Sequence, residues 1–128
     1  MKRTTCSATC DIQYHFVWIP KYRKRILIGR VKDRLEELFY QCAEINQFEI
    51  MELSILVDHV HILLSAKPSY SPSKIMQFFK GGSSCQIRKE FPELQEFLWG
   101  DSFWADGYFI STHSVVSESV IKNYIKNQ

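Results

Sequence analysis

Little in this sequence is extreme, and each shortage removes a class of protein. Cysteine is scarce: Cys6, Cys10, Cys42 and Cys85 are the whole complement of 128 residues, with no CxxC spacing. Cys42 and Cys85 fall inside predicted helices beside apolar residues, so the four read as reduced, structural thiols. A chain of this length buries a real core without staples, and one domain spanning 1–128 is expected. The basic start, Met1-Lys2-Arg3, is not followed by the apolar stretch of a secretory signal. No apolar run approaches the length needed to span a bilayer, so a cytoplasmic protein with no membrane partner is expected. There is also no internal repeat and no low-complexity segment. With 45% hydrophobic and 23% charged residues, the composition is that of a globular chain and not of a disordered one.

An excess of one charge is almost absent too, at a formal +2, but the mean conceals a cluster. Lys21, Arg23, Lys24, Arg25, Arg30 and Lys32 fall within one short stretch, which suits a polyanion such as nucleic acid or, equally, a solvated loop and helix start. Lys74, Lys80, Arg88 and Lys89 form a second basic set.

The periodicities define an order of elements. Ile12, Tyr14, Phe16 and Trp18 alternate with Gln13, His15 and Val17 until Pro20, giving a strand with one aromatic face. Val31, Leu35, Leu38, Phe39, Cys42 and Ile45 recur at helical spacing, predicting a helix over 31–46. The apolar, β-branched runs 48–57 and 60–66 are parted by Asp58 and read as two strands joined by a tight turn. Ser71-Pro72 supplies an N-cap followed by proline at the first helical position, and the helix runs toward Phe91-Pro92. Gly81-Gly82 predicts an interruption there, as a break, a bend or a close approach, since each glycine costs roughly 1 kcal/mol relative to alanine. An aromatic segment from Leu98 contains a fourth strand at 108–112, with side chains able to stack on bases or to fill the core. Ser117 fits as N-cap of a last helix with Val120, Ile121, Tyr124, Ile125 and Gln128 on one stripe. Strand, helix, strand, strand, helix, strand, helix predicts an α+β fold: a ferredoxin-like antiparallel sheet with helices packed on it.

The chemistry-bearing group is Asp58-His59-Val60-His61. Residues two apart on a strand share a face, so both imidazoles aim one way while Val60 turns to the opposite layer. Such a pair can hold a metal or simply be hydrogen bonded, and Tyr124 on an apolar stripe can be an ordinary core tyrosine. Taken with Gln128 one turn beyond Tyr124 and with the basic clusters, they suggest metal-assisted attack of a phenol on a phosphodiester. A free phenol has a pKa near 10 and needs a cation or base to act as a nucleophile at neutral pH. Two imidazoles and an amide leave coordination positions open for phosphate and water, which suits Mg²⁺ or Mn²⁺ better than a closed structural Zn²⁺ site.

Five ordered segments carry a resemblance. They are Phe16-Val17-Trp18-Ile19-Pro20-Lys21-Tyr22-Arg23, Asp58-His59-Val60-His61-Ile62, Phe79-Lys80-Gly81, Phe103-Trp104 with 107–112, and 120–128. Together they resemble the small single-tyrosine HUH transposases of the insertion sequence two-hundred type, over about Tyr14 to the last residue. The resemblance implies His59, His61 and Gln128 as metal ligands, Tyr124 as the nucleophile carried on the C-terminal helix, and Lys21, Arg23 and Lys80 in segments near DNA. It further implies cleavage and rejoining of single-stranded DNA at hairpin-flanked element ends through a 5′-phosphotyrosine. A homodimer is implied as well, with the tyrosine of one subunit usually serving the histidines of the other.

Two departures stand out. Thr112-His113-Ser114 occupies the place where members commonly carry Thr-Val-Gly, removing a glycine hinge, and relatives often continue past the position of Gln128. These motivate an alternative, a catalytically silent hairpin DNA- or RNA-binding regulator of the same descent. A phosphodiesterase using water in place of tyrosine is a third reading, against which the tyrosine-bearing helix argues.

Overall fold

The computed structural model describes residues 11–98, 100, 102–112 and 118–127, with the backbone alone at 118–121. Strand β1 (Ile12–Trp18) leads through a 3₁₀ turn at Lys21–Arg23 to α1 (Gly29–Asn46). A hairpin of β2 (Glu49–Ile55) and β3 (Val60–Ala66) follows, then α2 (Pro72–Glu90), a 3₁₀ turn at Pro92–Leu94 and the short α3 (Gln95–Leu98). The chain closes with β4 (Phe109–Ser111) and α4 (Glu118–Lys126). All pairings are antiparallel and the strand order is β2-β3-β1-β4, the ferredoxin-like order. The α+β expectation is met.

Local chemistry explains most boundaries. The Ser71 side chain accepts a hydrogen bond from the Lys74 backbone N–H at 3.2 Å and Pro72 opens α2, the capping arrangement expected from Ser-Pro. In the β2–β3 turn the Leu56 N–H donates to the His59 carbonyl at 2.8 Å across Asp58. Helix α1 starts two residues before the expected Val31, and Val31, Leu35, Phe39 and Ala43 form its buried stripe.

Two expectations are corrected. Gly81-Gly82 does not interrupt α2, which runs unbroken from Pro72 to Glu90. Phe79, Ser83 and Ile87 are buried at successive turns, so packing of that face holds the helix through the pair. Nothing lies within 4 Å of a β-carbon built at either glycine, so no close approach explains them. The alternative of base-stacking aromatics fails at Phe103 and Trp104, which are buried. Trp104 lies 5.8 Å from Trp18, and its Nε1–H donates to Ser83 Oγ at 2.9 Å. The proposed cap at Ser117 and the altered segment around His113 lie outside the described residues.

Alternation along β1 divides the sheet into two environments. Tyr14, Phe16 and Trp18 face the main core, where Trp18, Phe39 and Phe79 meet edge to face or tilted under α1 and α2. Val17 and Ile19 belong to a second, smaller cluster with Ile125, against which Ala105, Phe109 and Tyr124 pack. Helix α4 therefore lies on the face opposite α1 and α2.

Candidate active site

Cross-strand register places the site residues on one face. Val17 pairs with His61 on one side and Phe109 on the other, and His61 pairs with Ser54, so these residues form a row across the sheet. His59 precedes β3 by one residue, yet its ring lies 5.2 Å from that of His61, as alternation predicts. Tyr124 rests at 6.1 Å from the Phe109 ring. With strands about 4.8 Å apart, the Phe109 and His61 backbones are roughly 10 Å from each other. The histidine pair and the tyrosine helix thus share one surface of one chain.

Asp58 orients the first histidine, its Oδ1 lying 2.9 Å from His59 Nδ1. A carboxylate can only accept, so Nδ1 carries the proton and Nε2 keeps its lone pair for a ligand. His61 is pushed down to about 4 by burial first and then by the neighbouring His59 and His15. It is a neutral imidazole throughout the ordinary working range. No hydrogen bond occupies its ring nitrogens among the described residues. The neutral imidazole of His61 and the ring of His59, fixed by a carboxylate behind it, form a donor pair that fits a divalent cation. Among the described residues no three His, Cys, Asp or Glu side chains converge on one point. Gln128, the third ligand expected, lies outside the described residues.

Tyr124 is held in a protonated state by its surroundings. Among the described residues its buried hydroxyl has no hydrogen-bond partner, and desolvation pushes the phenol up to about 12. Attack from this placement requires a cation or a proton acceptor to reach the oxygen.

The three expected DNA-proximal residues divide. Lys21 is partly exposed in the 3₁₀ turn, with its ammonium 5.9 Å from the Tyr22 ring. Arg23 donates from Nη1 to the Ile125 carbonyl of α4 at 3.1 Å, and its Nε stands 3.6 Å from Asp58 Oδ2. One guanidinium thereby touches both the end of the tyrosine helix and the carboxylate behind His59. Tyr22 and Arg23 adopt positive φ values of 60° and 48°, a conformation costly for side-chain-bearing residues that sets the guanidinium's approach. Lys80 reaches from α2 to donate to the carbonyls of Ala105 and Gly107 at 2.8 and 2.9 Å. Burial lowers its pKa while Asp106 opposes the shift.

His15 is a further residue on this face whose role the motifs did not suggest. Its ring is 5.5 Å from His61, and its buried Nδ1 has no partner among the described residues. Desolvation lowers its pKa against the pull of Glu52. The signal was present in the β1 alternation, which puts His15 beside Val17. The contact between Arg23 and Ile125 had no local signal, because 102 positions separate them.

A ferredoxin-like sheet presenting an oriented histidine pair and a tyrosine-bearing helix on one face has the groups that metal-assisted phosphoryl transfer uses. Comparison with known proteins identifies the family. Residues 8–128 match the family model described as IS200-like transposase. The chain is 35% identical over 118 residues to the ISDra2 transposase TnpA of Deinococcus radiodurans, covering 92% of this chain and 84% of that protein. It is 31% identical to the transposase for insertion sequence element IS200 of Salmonella typhimurium, again over 92% of this chain and 77% of the relative. A crystal structure of a protein from D. radiodurans R1 assigned as a transposase superposes with a TM-score of 0.84 at 31% identity, covering 100% and 98% of the two chains. A REP-associated tyrosine transposase bound to a REP hairpin shares the fold at a TM-score of 0.58 and 12% identity, over 98% of this chain and 68% of that one. The chain belongs to the IS200-like transposase family, whose members are DNA-cleaving and DNA-transferring enzymes. No helix among the described residues is long and apolar enough to cross a membrane.

Proposed function

We propose that this transposase cleaves and rejoins single-stranded DNA at hairpin-flanked element ends, with Tyr124 as nucleophile and a divalent ion, Mg²⁺ or Mn²⁺, on His59, His61 and Gln128. The observation that carries the reading is the placement of the Tyr124 helix on the same sheet face as the oriented histidine pair. The hairpin-bound relative of the same fold makes a hairpin substrate the natural choice.

In this reading the phenolic oxygen of Tyr124 attacks the scissile phosphorus as its proton passes to solvent. The bond from phosphorus to the 3′ oxygen breaks, and that oxygen takes up a proton as a free 3′-hydroxyl. A 5′-phosphotyrosine remains, and attack on it by a 3′-hydroxyl reverses the exchange without an external energy source. His59, His61 and Gln128 would hold a divalent ion, which would supply Lewis-acid polarisation of the phosphate. Asp58 keeps His59 in the tautomer that leaves Nε2 available, and burial keeps His61 neutral. Packing of Tyr124 against Phe109 fixes the ring, so the loss of its buried, unpartnered state on substrate entry is the activating event. A homodimer is part of the proposal, in which α4 serves either its own sheet or that of the partner.

The test is covalent capture of a hairpin oligonucleotide with a single-stranded flank, in Mn²⁺ or Mg²⁺, analysed on denaturing gels. Wild type is expected to form an adduct that Tyr124→Phe and His61→Ala abolish. An adduct persisting in Tyr124→Phe would remove tyrosine as nucleophile. Tight hairpin binding with no adduct in any metal would identify a silent regulator instead.

A further inference from the structure

Beside the candidate site, the segment after the 3₁₀ turn folds against α3 and leaves an open groove of about 570 Å³. This lies within the roughly 300–1,000 Å³ typical of small-ligand sites. Its floor is apolar, formed by Val31 and Leu94 together with Ile28 and Phe97. The last two are 57% and 52% exposed, so an aliphatic and an aromatic side chain are both accessible in one groove. Arg23 and Arg25 stand on the rim, and among the described residues no carboxylate lines the groove. Arg25 is exposed and makes no ion pair among the described residues.

Two observations select the occupant. An apolar floor containing an accessible ring, under a rim of guanidinium groups, complements a nucleotide, with base on floor and phosphate on rim. Arg23 also links the groove to the candidate site, because it lines the groove while contacting the Ile125 carbonyl and approaching the carboxylate that orients His59.

We propose that the groove is a binding site for one or two unpaired nucleotides of the single strand flanking the cleavage position, with a base seated against Phe97 and Ile28 and its phosphate held by Arg25. The proposal rests on the single-stranded DNA reading given above, and it adds a protein subsite for the flank that is separate from any contact with the hairpin stem.

The experiment uses Tyr124→Phe protein, which retains the strand uncleaved, and hairpins carrying 2-aminopurine at successive flank positions. One or two adjacent positions should change in fluorescence on binding, and Phe97→Ala should remove the change. Phe97→Ala and the independent variant Ile28→Ser should each weaken binding of the flanked hairpin roughly 10-fold, the scale of one lost base-aromatic contact, while leaving the bare hairpin unaffected. An abasic nucleotide at the responsive position should reproduce that loss and make Phe97→Ala silent. Arg25→Ala should lower the salt dependence of flank binding by about one counterion, which Phe97→Ala should not. Thermal melts confirm that each variant is folded. If wild type forms the covalent adduct but no flank position responds, the groove assignment falls and the transposition chemistry stands. If the flank responds while wild type forms no adduct, the groove assignment stands and the chemistry falls. Equal losses on bare and flanked hairpins, or unchanged DNA binding in both floor variants, overturn the proposal in favour of a stem contact or a protein contact.

Discussion

Lys80→Met separates a structural ammonium from a DNA-contacting one. Methionine keeps most of the stem but removes the donors to the Ala105 and Gly107 carbonyls at 2.8 and 2.9 Å. Hydrogen bonds from a charged donor contribute roughly 1.5–3 kcal/mol each. The Gly107 bond is exposed and the ammonium is itself partly desolvated, so both subtract from that sum. A net loss of about 2–3 kcal/mol follows, equivalent to a fall in melting temperature of roughly 6–15 °C for a chain of this size. The loop in question turns at Gly107, with φ 82°, and delivers β4, whose Phe109 supports Tyr124. Adduct formation should therefore drop more than hairpin affinity does. Urea or thermal melts give the first quantity, and hairpin affinity against salt gives the second. An unchanged midpoint together with a salt slope smaller by about one would refute the reasoning, because that is the signature of a lysine on a phosphate.

Three further outcomes follow from the packing and the electrostatics. Gly81→Ala and Gly82→Ala each fill open space on an unbroken helix with no positive φ, and should stabilise by about 0.5–1 kcal/mol in chemical denaturation. Ser83→Ala strands the Trp104 indole N–H in the core, and should cost about 1–3 kcal/mol with a change in tryptophan fluorescence, whereas an exposed serine such as Ser73 should tolerate alanine. His61 falls from 6.5 to about 4 on folding, so the unfolded chain binds the extra proton between those values. Stability should thus be full above pH 6.5 and decline toward pH 4, by roughly 1–2 kcal/mol once solvent screening is allowed for, and His61→Gln should flatten that limb of the pH profile.

Legibility from sequence followed the range of the interaction. The His59 and His61 pairing rests on a period of two within three residues, and the Ser71 cap on a contact three residues long, so both were readable. The seven-element order emerged because strand alternation and helix spacing are local as well. The interruption expected at Gly81-Gly82 is absent because the buried stripe of Phe79, Ser83 and Ile87, set by tertiary packing, overrides intrinsic propensity. The basic set around Lys80 does not disclose its carbonyl partners, which lie more than 20 positions away in a loop whose path no local pattern specifies. The Arg23 contact to α4 depends on the complete sheet order and on two residues at positive φ, neither of which the basic run discloses.

Strand β1 is central and paired on both edges, and it alternates between the aromatic core and the candidate site. The two functions are therefore interleaved one residue apart on a single piece of backbone. Inserting or deleting one residue would send Tyr14, Phe16 and Trp18 toward α4 and bury His15 among the helices, so fold and chemistry would be lost together. Exchanges that keep the length meet no such obstacle on the site face. Divergence at this strand should accordingly be dominated by substitution at His15, Val17 and Ile19, with length variation displaced to the 3₁₀ turn and the loops beyond it.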